Sequence, residues 1–202
     1  MDLSAELARP GLDGPLRLLA LTMGAIRPAD WSFFREVVDR ARHDGVARAD
    51  FEETLLQAIL FFGLPRIVTS FEQLSDIWPV AEAPEGGSVP ADDYYSRGRE
   101  LFAAVYAHND QAIRDRLRSF HAEFHDFVIE AAYGRILARD GLDPRTRELL
   151  AVTALWGLDQ QPQLITHARG ALHFGATREA VAEAMRCSRV AGERIEAMLS
   201  RI

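Results

Sequence analysis

The chain has 202 residues, 48% of them hydrophobic, which is enough for one large core or two small ones. With Asp+Glu 30 against Lys+Arg 23 its formal charge is −7, and no basic run reverses that balance; neither nucleic acid nor an anionic membrane is the expected partner. The single cysteine, Cys187, excludes an intramolecular disulfide and any CxxC centre. The first residues carry no apolar signal core, and the longest apolar run, Leu55–Leu64, is interrupted by Gln57 and too short to span a bilayer. A cytoplasmic protein is expected.

In chain order the sequence reads as helix almost throughout. Pro15–Ala25 is an apolar helix. Pro28–Asp44 starts with proline in its first turn and stops at Gly45. Arg48–Phe62 ends at Gly63, and Pro65 starts a further helix to about Trp78. Pro79–Pro90, with three prolines, two glycines and few large side chains, marks a linker. Beyond it come helices at Tyr94–Ala107, Asn109–Leu117 and, as one long element, Ser119–Arg139. Asp143 is a good N-cap for a helix with Pro144 at its first position, and Leu149, Leu150, Val152, Thr153 and Trp156 form its apolar stripe. Gly157 breaks that helix, Pro162 opens the next, and Gly175 closes it. Alternating β-branched stretches are absent, so the fold class is all-α, a helical bundle.

An internal repeat organises these helices. His43-Asp44-Gly45-Val46-Ala47-Arg48 and Glu53 recur as His173-Phe174-Gly175-Ala176-Thr177-Arg178 and Glu183, at a constant offset of 130. Upstream, Leu18-Leu19-Ala20-Leu21-Thr22 matches Leu149-Leu150-Ala151-Val152-Thr153 with a slip of one. The expected division is a first, degenerate repeat at 1–78, a linker at 79–92 and a second repeat at 93–202. Val37 stands in the first copy where the second has His167, so the second copy is the one equipped for chemistry.

His167 sits among Leu164, Ile165 and Ala171, and Glu148 lies 19 residues before it in the first turn of the preceding helix. A carboxylate that orients an imidazole makes a general acid/base pair, although a histidine among apolar neighbours is more often a satisfied core residue. His121 and His125 are four apart with Glu123 between them. A metalloprotease helix needs its glutamate directly after the first histidine, and no third ligand is signposted, so no metal site is expected.

The second copy resembles the carboxymuconolactone decarboxylase family, which includes the alkyl hydroperoxidase-D proteins. The resemblance is carried by Ala132-Tyr133-Gly134, the run Arg139 to Arg147, Leu149-Leu150, His167, Ala171-Leu172 and Gly175 to Glu179, and more loosely by Leu60 to Pro65 in the first copy. It implies the all-α alkyl hydroperoxidase-D-like bundle, with the tandem repeats related by a pseudo-two-fold. The family's peroxidases carry two cysteines seven and four residues before the histidine; here these are Gln160 and Gln163, which supply no thiolate. The decarboxylase branch uses no metal or organic cofactor. By resemblance, His167 is the acid/base and Glu148 its orienter, with Tyr133, Trp156, Arg97 and Tyr95 as candidate substrate-binding residues. The implied activity is decarboxylase-like chemistry on a small lactone or unsaturated carboxylic acid. The alternative is a non-catalytic binding or assembly protein on the same fold. Family relatives assemble into rings, which implies a homo-oligomer of two or three chains.

Overall fold

The structure, a computed structural model, describes residues 2–80, 90 and 93–202. All regular structure among them is helical, as the patterning predicts. Most of the expected linker lies outside the described residues.

Aspartates start the two central helices. Asp13 Oδ1 accepts the Leu16 N–H at 2.9 Å to open α2 (Gly14–Ile26), and Asp143 Oδ1 accepts the Thr146 N–H at 3.0 Å to open α8 (Pro144–Gly157). Each has a proline in its first turn, where a missing N–H removes no helical bond. From Leu16 to Ile26 and from Thr146 to Trp156 both are buried on every side, the mark of a helix at the centre of a core. The amphipathic α3 (Trp31–His43), α9 (Gln161–His173) and α10 (Arg178–Cys187) pack around them, with the first half of α4 (Arg48–Ile77). One apolar core runs from Leu3 to Leu199 and draws on both copies. A smaller one joins Phe102 and Val105 of α5 (Tyr94–Tyr106) to Ile129, Tyr133 and Leu137.

The register between the copies is set by charge. Arg17, fully buried, donates to Glu183 Oε1 at 2.5 Å, and Arg9 adds a second bond to that oxygen at 2.6 Å. Reciprocally, Arg147 donates to Glu53 Oε2 at 2.7 Å and Arg139 to Glu53 Oε1 at 2.7 Å. Each glutamate sits on one copy and each arginine pair on the other, and all three positions recur at the offset of 130. Helix bounds follow the same offset: Trp31–His43 against Gln161–His173. The sequence pairing of Leu18 with Leu149 is therefore corrected by one residue. With Arg17 and Arg147 in register, Leu18 stands where the second copy has Glu148.

Three expected boundaries shift. The helix expected from Pro28 starts at Trp31, because Asp30 caps it through the Phe33 N–H at 3.2 Å and Ala29 turns with φ 59°. The long helix expected over Ser119–Arg139 breaks at His121, whose backbone is extended (φ −169°, ψ 133°) between α6 (Asp110–Phe120) and α7 (Ala122–Phe127). The chain then continues as a π-helical stretch, Val128–Leu137, with the Ala138 N–H reaching back five residues to Tyr133 O at 2.8 Å. This wider turn lies against α5 so closely that a Cβ on Gly134 would sit 1.8 Å from Tyr94 O. Finally, α4 is long and apolar enough to cross a membrane by length and composition, unlike the short run expected there. Gly63 (φ 73°) breaks it, however, and Phe51, Leu55, Ala58, Ile67 and Leu74 sit in the core.

Burial alone would raise the Glu53 and Glu183 carboxyls, but hydrogen bonds and charge from their arginine pairs outweigh it and hold both below the ordinary 4.5. A depressed folded-state carboxyl adds stability above its unfolded value, and that stability is lost as pH falls through the folded one. Glu53→Gln and Glu183→Gln should each cost about 3–5 kcal/mol in urea unfolding near pH 7, since each strands buried arginine charge. The double variant should also lose less stability than wild type between about pH 5 and pH 3. Equal acid sensitivity would show that the clasp does not govern it.

Candidate active site

The two helices that follow Asp143 bring together the pair expected from sequence. Glu148, one turn into α8, is 2% exposed, and His167, midway along α9, is 7% exposed. His167 Nδ1 lies 2.9 Å from Glu148 Oε2. The carboxylate reaches this position because α9 presents Gly170 there: a Cβ on Gly170 would lie 2.5 Å from Glu148 Oε2. With Nδ1–H donated to Glu148, the ring has one tautomer in its neutral form, and Nε2 makes no hydrogen bond among the described residues.

His167 opens onto a cavity of about 330 Å³. Its polar lining is Tyr106, Tyr133, Gln160, Gln163 and His167. Leu155 and Val128 form apolar wall, and Leu60 and Phe61 reach in from α4 of the first copy. The Tyr133 hydroxyl donates to Tyr106 Oη at 3.4 Å, and Phe102 stacks on the Tyr106 ring at 4.1 Å between centroids. Burial, with the nearby Tyr106 and Glu148, pushes the Tyr133 phenol well above the ordinary 10, and burial raises Tyr106 as well. Both phenols are therefore neutral near pH 7; Tyr133 gives its proton to Tyr106, whose own O–H is left to donate.

The remaining sequence candidates lie elsewhere. Tyr95 is an exposed residue of α5. Arg97 donates to Ala138 O and to Asp140 Oδ1 at 3.2 Å. It lines a larger concavity of about 480 Å³, with Glu100 and Arg139, which His167 does not line. Trp156 is buried beneath the Arg194 guanidinium, 5.8 Å from its ring centroid, and does not line the His167 cavity. Of the residues outside the pair, Tyr133 alone takes the expected place; Tyr106 and Phe61 carry no sequence signal that marks them as lining.

His121 and His125 do not share a solvated face. His121 is exposed, whereas His125 is fully buried with Nδ1 2.8 Å from Asp126 Oδ1. Among the described residues, no three His, Cys, Asp or Glu side chains cluster as a metal site. Cys187 is buried in α10, and burial pushes its thiol up to about 12, far from a reactive thiolate.

Comparison with known proteins shows what the chain is similar to. Residues 122–199 match the model of the carboxymuconolactone decarboxylase family. Peroxisomal protein 2 of Schizosaccharomyces pombe is 29% identical over 135 residues, 65% of this chain and 63% of that protein. The chain thus spans less than two thirds of that relative. The 4-carboxymuconolactone decarboxylase of Acinetobacter baylyi is 29% identical over 101 residues, 48% of this chain and 75% of the enzyme.

Gly170→Ala should push Glu148 out of its seat. The expected result is loss of the downfield Nδ1 proton resonance of His167, with a fall in stability of about 1–3 kcal/mol. Retention of that resonance in the variant would show that the carboxylate needs no glycine opposite it.

Proposed function

We propose, for a chain whose residues 122–199 match the carboxymuconolactone decarboxylase family model, that the His167 cavity decarboxylates a small unsaturated or lactone carboxylic acid without a cofactor. The observation that carries this reading is the 2.9 Å contact of His167 Nδ1 with Glu148, in a ring whose other nitrogen is free at the cavity.

In such a reaction the bond from carbon to the leaving carboxylate breaks, CO₂ departs, and its electron pair moves into the conjugated acceptor. A remote carbon then takes a proton. His167, as imidazolium, gives that proton from Nε2 and is reprotonated from solvent, while Glu148 holds Nδ1–H and balances the positive charge. Negative charge that develops on a carbonyl or lactone oxygen needs a donor, and the neutral Tyr106 hydroxyl and the amides of Gln160 and Gln163 line the same cavity. The cavity is small for a drug-sized ligand, which fits a compact acid.

Peroxide reduction of the alkyl hydroperoxidase-D kind needs a reactive thiolate, and glutamine occupies both cysteine positions. The S. pombe relative's name states no reaction, so binding without turnover is the alternative on this fold.

The test is turnover of 4-carboxymuconolactone, followed by its ultraviolet absorbance. Wild type should be active, His167→Ala should lose about 10²- to 10⁴-fold, and Glu148→Gln should fall between. Folded wild type without turnover would overturn that substrate, and an unaffected His167→Ala would remove the histidine's role. A hydroperoxide assay with dithiol should stay silent.

A further inference from the structure

Beside the His167 cavity, further around α9, lies a second concavity of about 240 Å³. Its polar lining is Tyr106, His108, Asn109, Thr166, Arg169 and His173. Tyr106 also lines the His167 cavity, so the two hollows share a wall. Thr166 and Arg169 flank His167 and Ala168 in sequence and lie about a quarter turn around the helix from the His167–Gly170 face.

The composition of this groove runs against the protein as a whole. The chain carries a formal charge of −7, yet none of these lining residues is acidic while a guanidinium and two imidazoles converge there. Arg169 is held from one side, with Nη2 donating to Arg201 O at 3.0 Å. No carboxylate pairs with it among the described residues, so its other N–H groups are unspent. The Asn109 amide adds a neutral donor, while the Thr166 hydroxyl gives its proton to Pro162 O at 3.3 Å. The rest of the lining is hydrocarbon, from Ala104, Val105 and Ile113.

We propose that this groove binds a carboxylate borne on a short hydrocarbon chain, with Arg169 as its charged anchor and His108, His173 and Asn109 as further donors. The apolar wall decides between organic and inorganic oxyanions: phosphate would leave Val105 and Ile113 unused, whereas an aliphatic diacid covers them. Set against Tyr106, the groove is a seat for the anionic end of a molecule that approaches the His167 cavity. That role rests on the catalytic reading above, but binding in the groove does not require His167.

The experiment is calorimetric titration of the full chain at low salt with adipate and, separately, with inorganic phosphate. Wild type should bind adipate more tightly than phosphate, and the affinity should fall as salt is raised. Arg169→Gln should weaken adipate by about tenfold or more, and Arg169→Lys by less, because a lysine keeps the charge without the planar fork. Arg35→Gln, an exposed arginine near Asp76 and remote in sequence, controls for net charge and should change nothing. His167→Gln should bind adipate within about twofold of wild type. No binding by wild type, equal binding by Arg169→Gln or phosphate as tight as adipate would overturn the assignment. Loss of binding in His167→Gln would move the ligand into the catalytic cavity and overturn it too. Thermal melts of each variant distinguish lost binding from lost folding. Failure of lactone turnover with adipate binding intact would remove the catalytic reading alone.

Discussion

The structure depends on two buried carboxylates, each held by arginines from the other copy. Burying two carboxylates with the Arg17 and Arg147 guanidiniums, beside the partly exposed Arg9 and Arg139, costs desolvation that their mutual attraction largely offsets, so the net gain over a packed apolar alternative is small. What the arrangement supplies is registration. Glu53 reaches Arg139 and Arg147, and Glu183 reaches Arg9 and Arg17, so α8 is set against α4 and α2 against α10. An apolar seam between helices would tolerate sliding; an ion pair made at 2.5–2.7 Å does not.

That registration reaches the site through neighbouring residues. Arg147 directly precedes Glu148, and its charge is answered by Glu53 from the first copy. Glu148 is thus left to turn toward α9 and meet His167. The first copy shows the same scaffold without the chemistry, since Leu18 and Val37 occupy the corresponding places and both are core residues. Its contribution to the site is wall. Gly63 interrupts α4 just past Leu60 and Phe61, the two side chains that line the cavity. The helix's apolar half thereby serves the core and the site at once.

Sequence made the helical class, the aspartate caps, the break at Gly63 and the pairing of Glu148 with His167 legible, because each is a local rule or a spacing. The clasp was within reach as well: Ala8-Arg9-Pro10-Gly11-Leu12-Asp13 and Ala138-Arg139-Asp140-Gly141-Leu142-Asp143 repeat with one change. The arginines escaped notice because charged residues near helix starts are ordinarily solvated. The π-helical stretch was not legible, since its backbone hydrogen bonds accompany close packing against α5, and nothing local marked the break at the exposed His121. Tyr95 and Arg97 were misplaced for a related reason. Position along α5 decides which side chains reach the cavity, and Tyr106 at its far end does so while Tyr95, about three turns earlier, does not.

The cavity's neutral lining bears on what reaction it can support. A thiol site needs a group that ionises readily, and the one cysteine lies buried with its thiol pushed up to about 12. Here the mobile proton can belong only to the imidazole, because Tyr106 and Tyr133 are shifted upward and the two glutamines do not ionise. A single proton carrier with a fixed counter-charge suits a reaction that needs one proton delivered and no electrons exchanged. The proposed loss of CO₂ followed by protonation at carbon is such a reaction, and under that proposal Gln160 and Gln163 take a role a thiol would not fill. As amides they can hold an oxygen of the substrate while charge passes through it.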